Sequence, residues 1–168
     1  GTGAGQPNGI VTAAASGKVG TTGQTLTVIY DDLVDLQHSV DPAYRRLPGV
    51  GFMMADSSIK VVRKIKDGQS RPIFVPGFET GSPGGAPDTL LGSPVTVNQD
   101  VAAMAANAKS ILFGDFSSLV VRVAGGIRFE RSDDFAFNAD LATFRAITRH
   151  GTTSVDANAL KTLTHAGT

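Results

Sequence analysis

The stretch Phe113–Gly151, FGDFSSLVVRVAGGIRFERSDDFAFNADLATFRAITRHG, decides the fold. Ile111-Leu112-Phe113 opens an apolar strand that ends at Gly114-Asp115-Phe116. Leu119–Val123 and Ile127–Arg131 then flank Ala124-Gly125-Gly126. Paired glycines tolerate the positive φ that tight turns need, so a hairpin is predicted there. Along this ribbon Val121, Val123, Ile127 and Phe129 alternate with Arg122, Arg128 and Glu130, which leaves one face wet or set against another charged chain. An acidic loop, Asp133-Asp134-Phe135, follows. Leu141–Thr148 reads as a further strand running into an Arg149-His150-Gly151 turn.

Upstream, Leu26, Ile29, Leu33, Leu36 and Val40 recur at steps of three and four, which predicts an amphipathic helix with Asp31, Asp32 and Asp35 on its polar side. Asp41-Pro42 stops it, because the residue before proline disfavours helical geometry, and a short turn over Ala43–Arg46 follows. Gly51–Ala55 is a short apolar run between turns and reads as a buried strand. Asp56 stands at an N-cap position, and Ile59, Val62 and Ile65 predict a second helix closing at Lys66-Asp67-Gly68, with Lys64 and Lys66 complementing its dipole. Phe74–Pro87 is dense in proline and glycine and reads as an exposed loop. Val95–Val97 alternates like a strand, and Ala102–Ala108 is weakly helical. Ile10–Ala15 is a short strand candidate followed by a loop over Ser16–Gly23. Near the end of the sequence, Asp156 reads as the cap of a short helix carrying Leu160 and Leu163. The expected fold class is α+β: a mixed, mainly antiparallel central sheet flanked by helices, plus a β-hairpin.

The 168 residues suffice for one compact core without staples. Cysteine is absent, which excludes disulfides, zinc knuckles and a thiol nucleophile. Fifteen basic residues balance fifteen acidic ones, so bulk charge points neither to nucleic acid nor to an anionic membrane. No apolar run reaches the roughly 20 residues that span a bilayer, and no basic-then-apolar leader opens the sequence; no membrane partner is expected. The opening Gly1–Gly9 reads as a flexible connector rather than a phosphate loop, and as the start of a fragment or processed product.

Candidate chemistry is sparse. His38 lies on the polar side of the first helix, His150 in a turn and His165 near a fraying end, and none has metal-ligand spacing to another. All three read as surface histidines. No G-x-S-x-G elbow is present, and Ser57-Ser58 belongs to a helix start. Asp133-Asp134 reads as solvated acid. Arg45-Arg46, Arg63-Lys64, Arg122, Arg128, Glu130 and Arg131 read as solvated surface, or in a sharper reading as ion pairs between copies of the chain. Neither a catalytic residue, nor a metal site, nor a cofactor is expected.

Taken in order, several pieces resemble the major capsid proteins of tailed bacteriophages with the Hong Kong 97-type fold. They are Gly1-Thr2-Gly3 with Gln6-Pro7, the strand-helix unit Gly51–Met54 with Ser57–Lys66, Leu90-Leu91-Gly92-Ser93-Pro94-Val95, Phe113-Gly114-Asp115-Phe116, Arg131-Ser132-Asp133-Asp134-Phe135 and Phe144–Gly151. The resemblance implies an axial domain formed by residues 1–116 and 141–168 and a peripheral-domain hairpin over 117–140. It implies a non-enzymatic subunit that assembles with itself into pentamers and hexamers around a DNA genome, located in the virion capsid and assembled in the bacterial host cytoplasm. Scaffold, portal and decoration proteins would be further partners, without specific nucleic-acid binding. The family's N-terminal arm, extended loop and spine helix have no counterpart in these residues, so closure of a shell by them alone is not expected. Asn138 is similar to the acceptor of a Lys-Asn crosslink made by one member type, but Arg145 stands where that type has its Glu, which argues against crosslinking. The alternatives are a bacterial encapsulin shell protein and, from another class, a small hydrolase or ligand-binding domain using the Phe74–Pro87 loop with Asp133 and His150.

Overall fold

The computed structural model describes residues 1–70, 72, 74 and 88–167. The elements in chain order are α1 (Ile10–Ala13), β1 (Ala15–Val19), α2 (Tyr30–His38), β2 (Val50–Met54), α3 (Asp56–Val62), β3 (Thr89–Leu90), β4 (Ser93–Val97), β5 (Lys109–Asp115), β6 (Leu119–Ala136), β7 (Leu141–Ser154) and β8 (Leu160–Thr164). They form two sheets. Six strands lie in the order β1-β8-β5-β2-β4-β3, and β6 pairs with β7 alone. In the larger sheet β1 runs parallel to β8 and β2 parallel to β4, while the other three pairings are antiparallel. The α+β class with a mixed sheet and a separate hairpin is therefore observed.

Central strands of this sheet are buried on both faces. Ile111, Phe113, Phe52, Met54 and Leu163 share one side with Val28, Leu33, Leu36, Val40, Ile59 and Val62 around α2 and α3. Phe52 and Phe113 sit opposite each other in register, their rings 4.5 Å apart and tilted by 44°, a favourable aromatic arrangement. Leu112 and Leu160 point to the other side, where Ala14, Val101, Ile10 and Val11 cover them. Burial on both faces explains one correction. Leu160 and Leu163, three apart, imitate a helical stripe, yet they lie on β8 and face opposite layers. Asp156, expected to cap a helix, instead accepts the Asn158 backbone N–H at 2.7 Å in the turn before that strand.

Other elements differ locally. Helix α2 starts at Tyr30, not Leu26, and leaves Leu26 and Ile29 exposed, since the β-branched run Thr27-Val28-Ile29 favours extended backbone. Asp32 is buried rather than on the wet face. It accepts the Ile29 N–H at 3.3 Å, capping the helix, and Lys18 Nζ lies 3.8 Å from it and 2.5 Å from Asp35. The flanking carboxylates, Asp35 first, raise the Lys18 pKa. Ile10–Ala13 is a single helical turn, and the strand begins at Ala15 and extends into the expected loop as far as Val19. Helix α3 has Ala55 at its N-cap with Asp56 already inside, and it closes at Arg63. Ala102–Ala108 is not helical. The glycine-rich opening closes on itself through a Gly9 N–H to Gly1 carbonyl bond of 2.8 Å. His165 is fully buried, its Nε2 2.6 Å from Ser110 Oγ and its Nδ1 3.2 Å from the Gln24 carbonyl. A carbonyl only accepts, so Nδ1 carries the proton and Nε2 accepts from the Ser110 hydroxyl. The expected Phe74–Pro87 loop lies outside the described residues except for Phe74, which is buried.

Candidate functional site

The projecting hairpin is the feature that asks for a function. Strand β6 has 18 residues and β7 has 14, and none of them is buried. They pair antiparallel from Leu119 opposite Ser154 to Ala136 opposite Leu141. Gly125-Gly126 is therefore not the hairpin turn. The pair sits within β6, where residues 125–127 oppose Thr148 alone between the Ala124–Arg149 and Arg128–Ile147 partners. Both glycines have positive φ, 78° and 65°, as a bulge of this kind demands. The actual turn is Phe137–Ala139, closed by Asp140 in the left-handed region. Strand β7 pairs with β6 rather than returning to the main sheet, and β8 is the returning strand.

One turn of the main body grips both chains that enter the hairpin. On the incoming side the buried Asp115 accepts the Ser117 N–H at 3.0 Å, and Phe116 N–H donates to the Gly49 carbonyl at 3.3 Å. On the outgoing side Tyr44 donates its hydroxyl to Asp156, while the Asp156 carbonyl accepts from Ser154 Oγ at 2.9 Å. The Tyr44 hydrogen bond, followed by that from the Asn158 backbone, lowers the Asp156 pKa. The same bond raises that of Tyr44.

Three residues in the bulge against one on the partner keep the alternation in phase along the whole ribbon. One face carries Val121, Val123, Phe129 and Phe144; Phe129 is 75% and Phe144 71% exposed. The opposite face carries Arg122, Arg128, Arg145 and Arg149 with Glu130 as its counter-charge. Glu130 is held by Arg128 at 2.5 Å and by Arg145 Nε at 2.8 Å. Arg131 pairs with Asp133 at 2.8 Å. Four predicted ion-pair residues, Arg122, Arg128, Glu130 and Arg131, are thus on the hairpin, three of them on one face and Arg131 on the other. Among the described residues Arg122 makes no ion pair. Asn138 lies in the tip turn, and β6 and β7 contain no lysine. Asp133 and His150 are not brought together: they lie toward opposite ends of the hairpin, about seven strand residues or roughly 23 Å apart. Among the described residues no three His, Asp or Glu side chains gather to hold a metal ion.

A naked two-stranded ribbon is marginal in water, and one that exposes several large apolar side chains on one face is normally covered by another protein surface. Comparison with known proteins gives that face its context. The sequence matches the model of the phage capsid family over residues 1–165. The chain belongs to the phage capsid family. No curated protein matches it. Among solved structures, the capsid of an empty GTA particle computed with C5 symmetry superposes with a TM-score of 0.71 at 27% identity, over 98% of this chain and 58% of that one. Gordonia phage Cozz gives 0.59 at 18% identity, over 96% and 52%. The SrpI encapsulin of Synechococcus elongatus PCC 7942 gives 0.52 at 17%, over 93% and 55%, a likeness of fold alone. The chain therefore spans little more than half the length of the capsid chains it matches. Sequence reasoning missed Tyr44, Asp156 and Arg149. Pairing across more than a hundred residues leaves no local signal for the first two, and Arg149 passed as a turn residue.

Proposed function

We propose that this chain is the sheet-and-hairpin part of a structural subunit that assembles with copies of itself into the icosahedral shell of a phage or prophage. The observation that carries this reading is the uncovered apolar face of the hairpin in a member of the phage capsid family. The six-stranded sheet forms the axial body. The pairing of β7 with β6 supports extending the peripheral hairpin through Ser154. Assembly is noncovalent in this reading, because Arg145 stands where the crosslinking member type has its Glu. Magnitudes divide the labour between the two faces. Burying a side chain such as Phe129 or Phe144 stabilises by about 1.5–3 kcal/mol, whereas an exposed ion pair contributes about 0–1 kcal/mol. The apolar face supplies affinity and the charged face supplies register. Pentamers and hexamers, a location in the virion, assembly in the host cytoplasm, and scaffold, portal and decoration partners belong to the same reading. The phage capsid match over nearly the whole chain favours this over an encapsulin.

Sedimentation and electron microscopy of the purified protein test it. Ring-shaped oligomers are expected, without closed shells. A protein that stays monomeric at every concentration, or an enzymatic turnover lost on Asp133→Ala, would overturn it.

A further inference from the structure

The charged face of the hairpin holds a cleft whose chemistry specifies an occupant. It has a volume of about 220 Å³ and is lined by Ala124, Gly125, Gly126, Arg128, Ile147 and Arg149. Its floor is bare backbone, since a side-chain carbon added at Gly125, Gly126 or Gly151 would meet nothing within 4 Å. Residues 125–127 have no one-to-one cross-strand partner, and the backbone at Gly125 and Gly126 is open to the surface. Arg149 lines the cleft, Arg122 lies two residues beyond Ala124 on the same face, and among the described residues neither forms an ion pair. Glu130 offsets Arg128 and Arg145 only. The cleft is therefore a net cationic, open-backbone site suited to a carboxylate carried on a narrow projection.

The same hairpin carries the complement at its other end. Asp134 and Asp140 stand beside the tip turn and form no ion pair among the described residues, and Phe135 and Phe137 are each 83% exposed. Asp133 is already taken by Arg131. About seven strand residues separate Asp134 from Arg149 and about nine separate Asp140 from it, roughly 23–30 Å, so a chain cannot satisfy itself. We propose that the acidic tip of one hairpin docks into the Arg122–Arg149 cleft of a second copy, with Asp134 and Asp140 meeting the unpaired arginines. The contact is head-to-tail rather than two-fold, and so closes into a ring about a symmetry axis when the rotation permits. This rests on the self-assembly reading above and adds the register.

The absence of cysteine makes the contact directly readable. An Arg149→Cys chain is mixed with an Asp134→Cys chain, assembled and mildly oxidised; both positions are exposed, and circular dichroism checks that each variant folds. A mixed disulfide between the two variants is expected, with neither variant crosslinking to itself. Independently, Arg149→Glu is expected to weaken association about a hundredfold through like-charge contact with the tip, and mixing it with Asp134→Arg restores association. Assembly without the mixed disulfide would overturn the docking while leaving the self-assembly reading intact. Tip-to-tip disulfides alone, or an Arg149→Glu variant that assembles normally and loses only binding to random-sequence duplex DNA, would also overturn it. A protein that never associates sinks both readings.

Discussion

At the scale of single residues, Gly114 is the position with least freedom. Its φ is +144°, and an added side-chain carbon would lie 2.1 Å from the Ala159 carbonyl and 2.8 Å from Leu160 Cα, backbone at the start of β8. Backbone cannot step aside as the end of a flexible side chain can. Gly114→Ala is therefore expected to destabilise by about 3 kcal/mol or more, as strain and overpacking combine. Gly68→Ala, where nothing lies within 4 Å, should stay within about 0.5 kcal/mol; denaturant melts of the two variants compare them directly. The Tyr44–Asp156 contact makes a second residue-scale prediction. The folded Asp156 pKa lies below its unfolded value, so its contribution is present above the unfolded pKa and disappears as pH falls through the folded one. The folded Tyr44 pKa lies above its unfolded value, so that contribution is present below the unfolded pKa and is lost as pH rises through the folded one. With only two tyrosines in the chain, ultraviolet titration should show one ionising late, and Asp156→Asn should return it to the ordinary range. Titration of both tyrosines together in the parent chain would show that the contact is not formed.

At the scale of elements, the hairpin and the sheet differ in what protects their backbone. Strands β5 and β8 are enclosed between two apolar layers, whereas β6 and β7 have no buried residue. Native-state hydrogen exchange should show β6 and β7 amides opening locally at far lower free energy than those of β5 and β8, with protection appearing on assembly. Equal protection in the free chain would contradict the description of a bare ribbon. The same contrast explains what was legible in the sequence. Strand β2 and the α3 start were readable because their apolar runs are bounded by turn chemistry. The two-faced character of the ribbon was readable because its alternation survives the bulge. The Gly125-Gly126 pair was misread as a turn because positive φ serves a bulge as well as a hairpin, and only the partner strand distinguishes them. Strand β8 was misread because a strand buried on both faces loses its period of two, leaving Leu160 and Leu163 at a spacing that also suits a helix. Arg122, Arg128 and Glu130 were recognisable as a charged face, but the unpaired Arg149 becomes significant only once β7 is laid against β6.

At the scale of the whole molecule, the accessible surface of 10273 Å² exceeds the about 7,900 Å² expected for a compact 17.4 kDa monomer. The projecting hairpin contributes to that excess, and a standard protein–protein interface buries about 1,600 Å². Two aromatic side chains on one face of the hairpin permit a test that separates folding from assembly. Phe129 and Phe144 sit on one face of the ribbon and are 75% and 71% exposed, so the free chain gains little from either. Replacing both with Ser should leave thermal stability of the monomer within about 0.5 kcal/mol of the parent, the range for surface changes. The proposed assembly covers the same two rings, and losing about 1.5–3 kcal/mol from each at every copy should abolish association at concentrations where the parent assembles. Sedimentation velocity on the folded variant reads the outcome. If the Phe129→Ser/Phe144→Ser protein assembles as the parent does, the apolar face faces solvent in the particle as well, and the hairpin joins copies through its charged face alone.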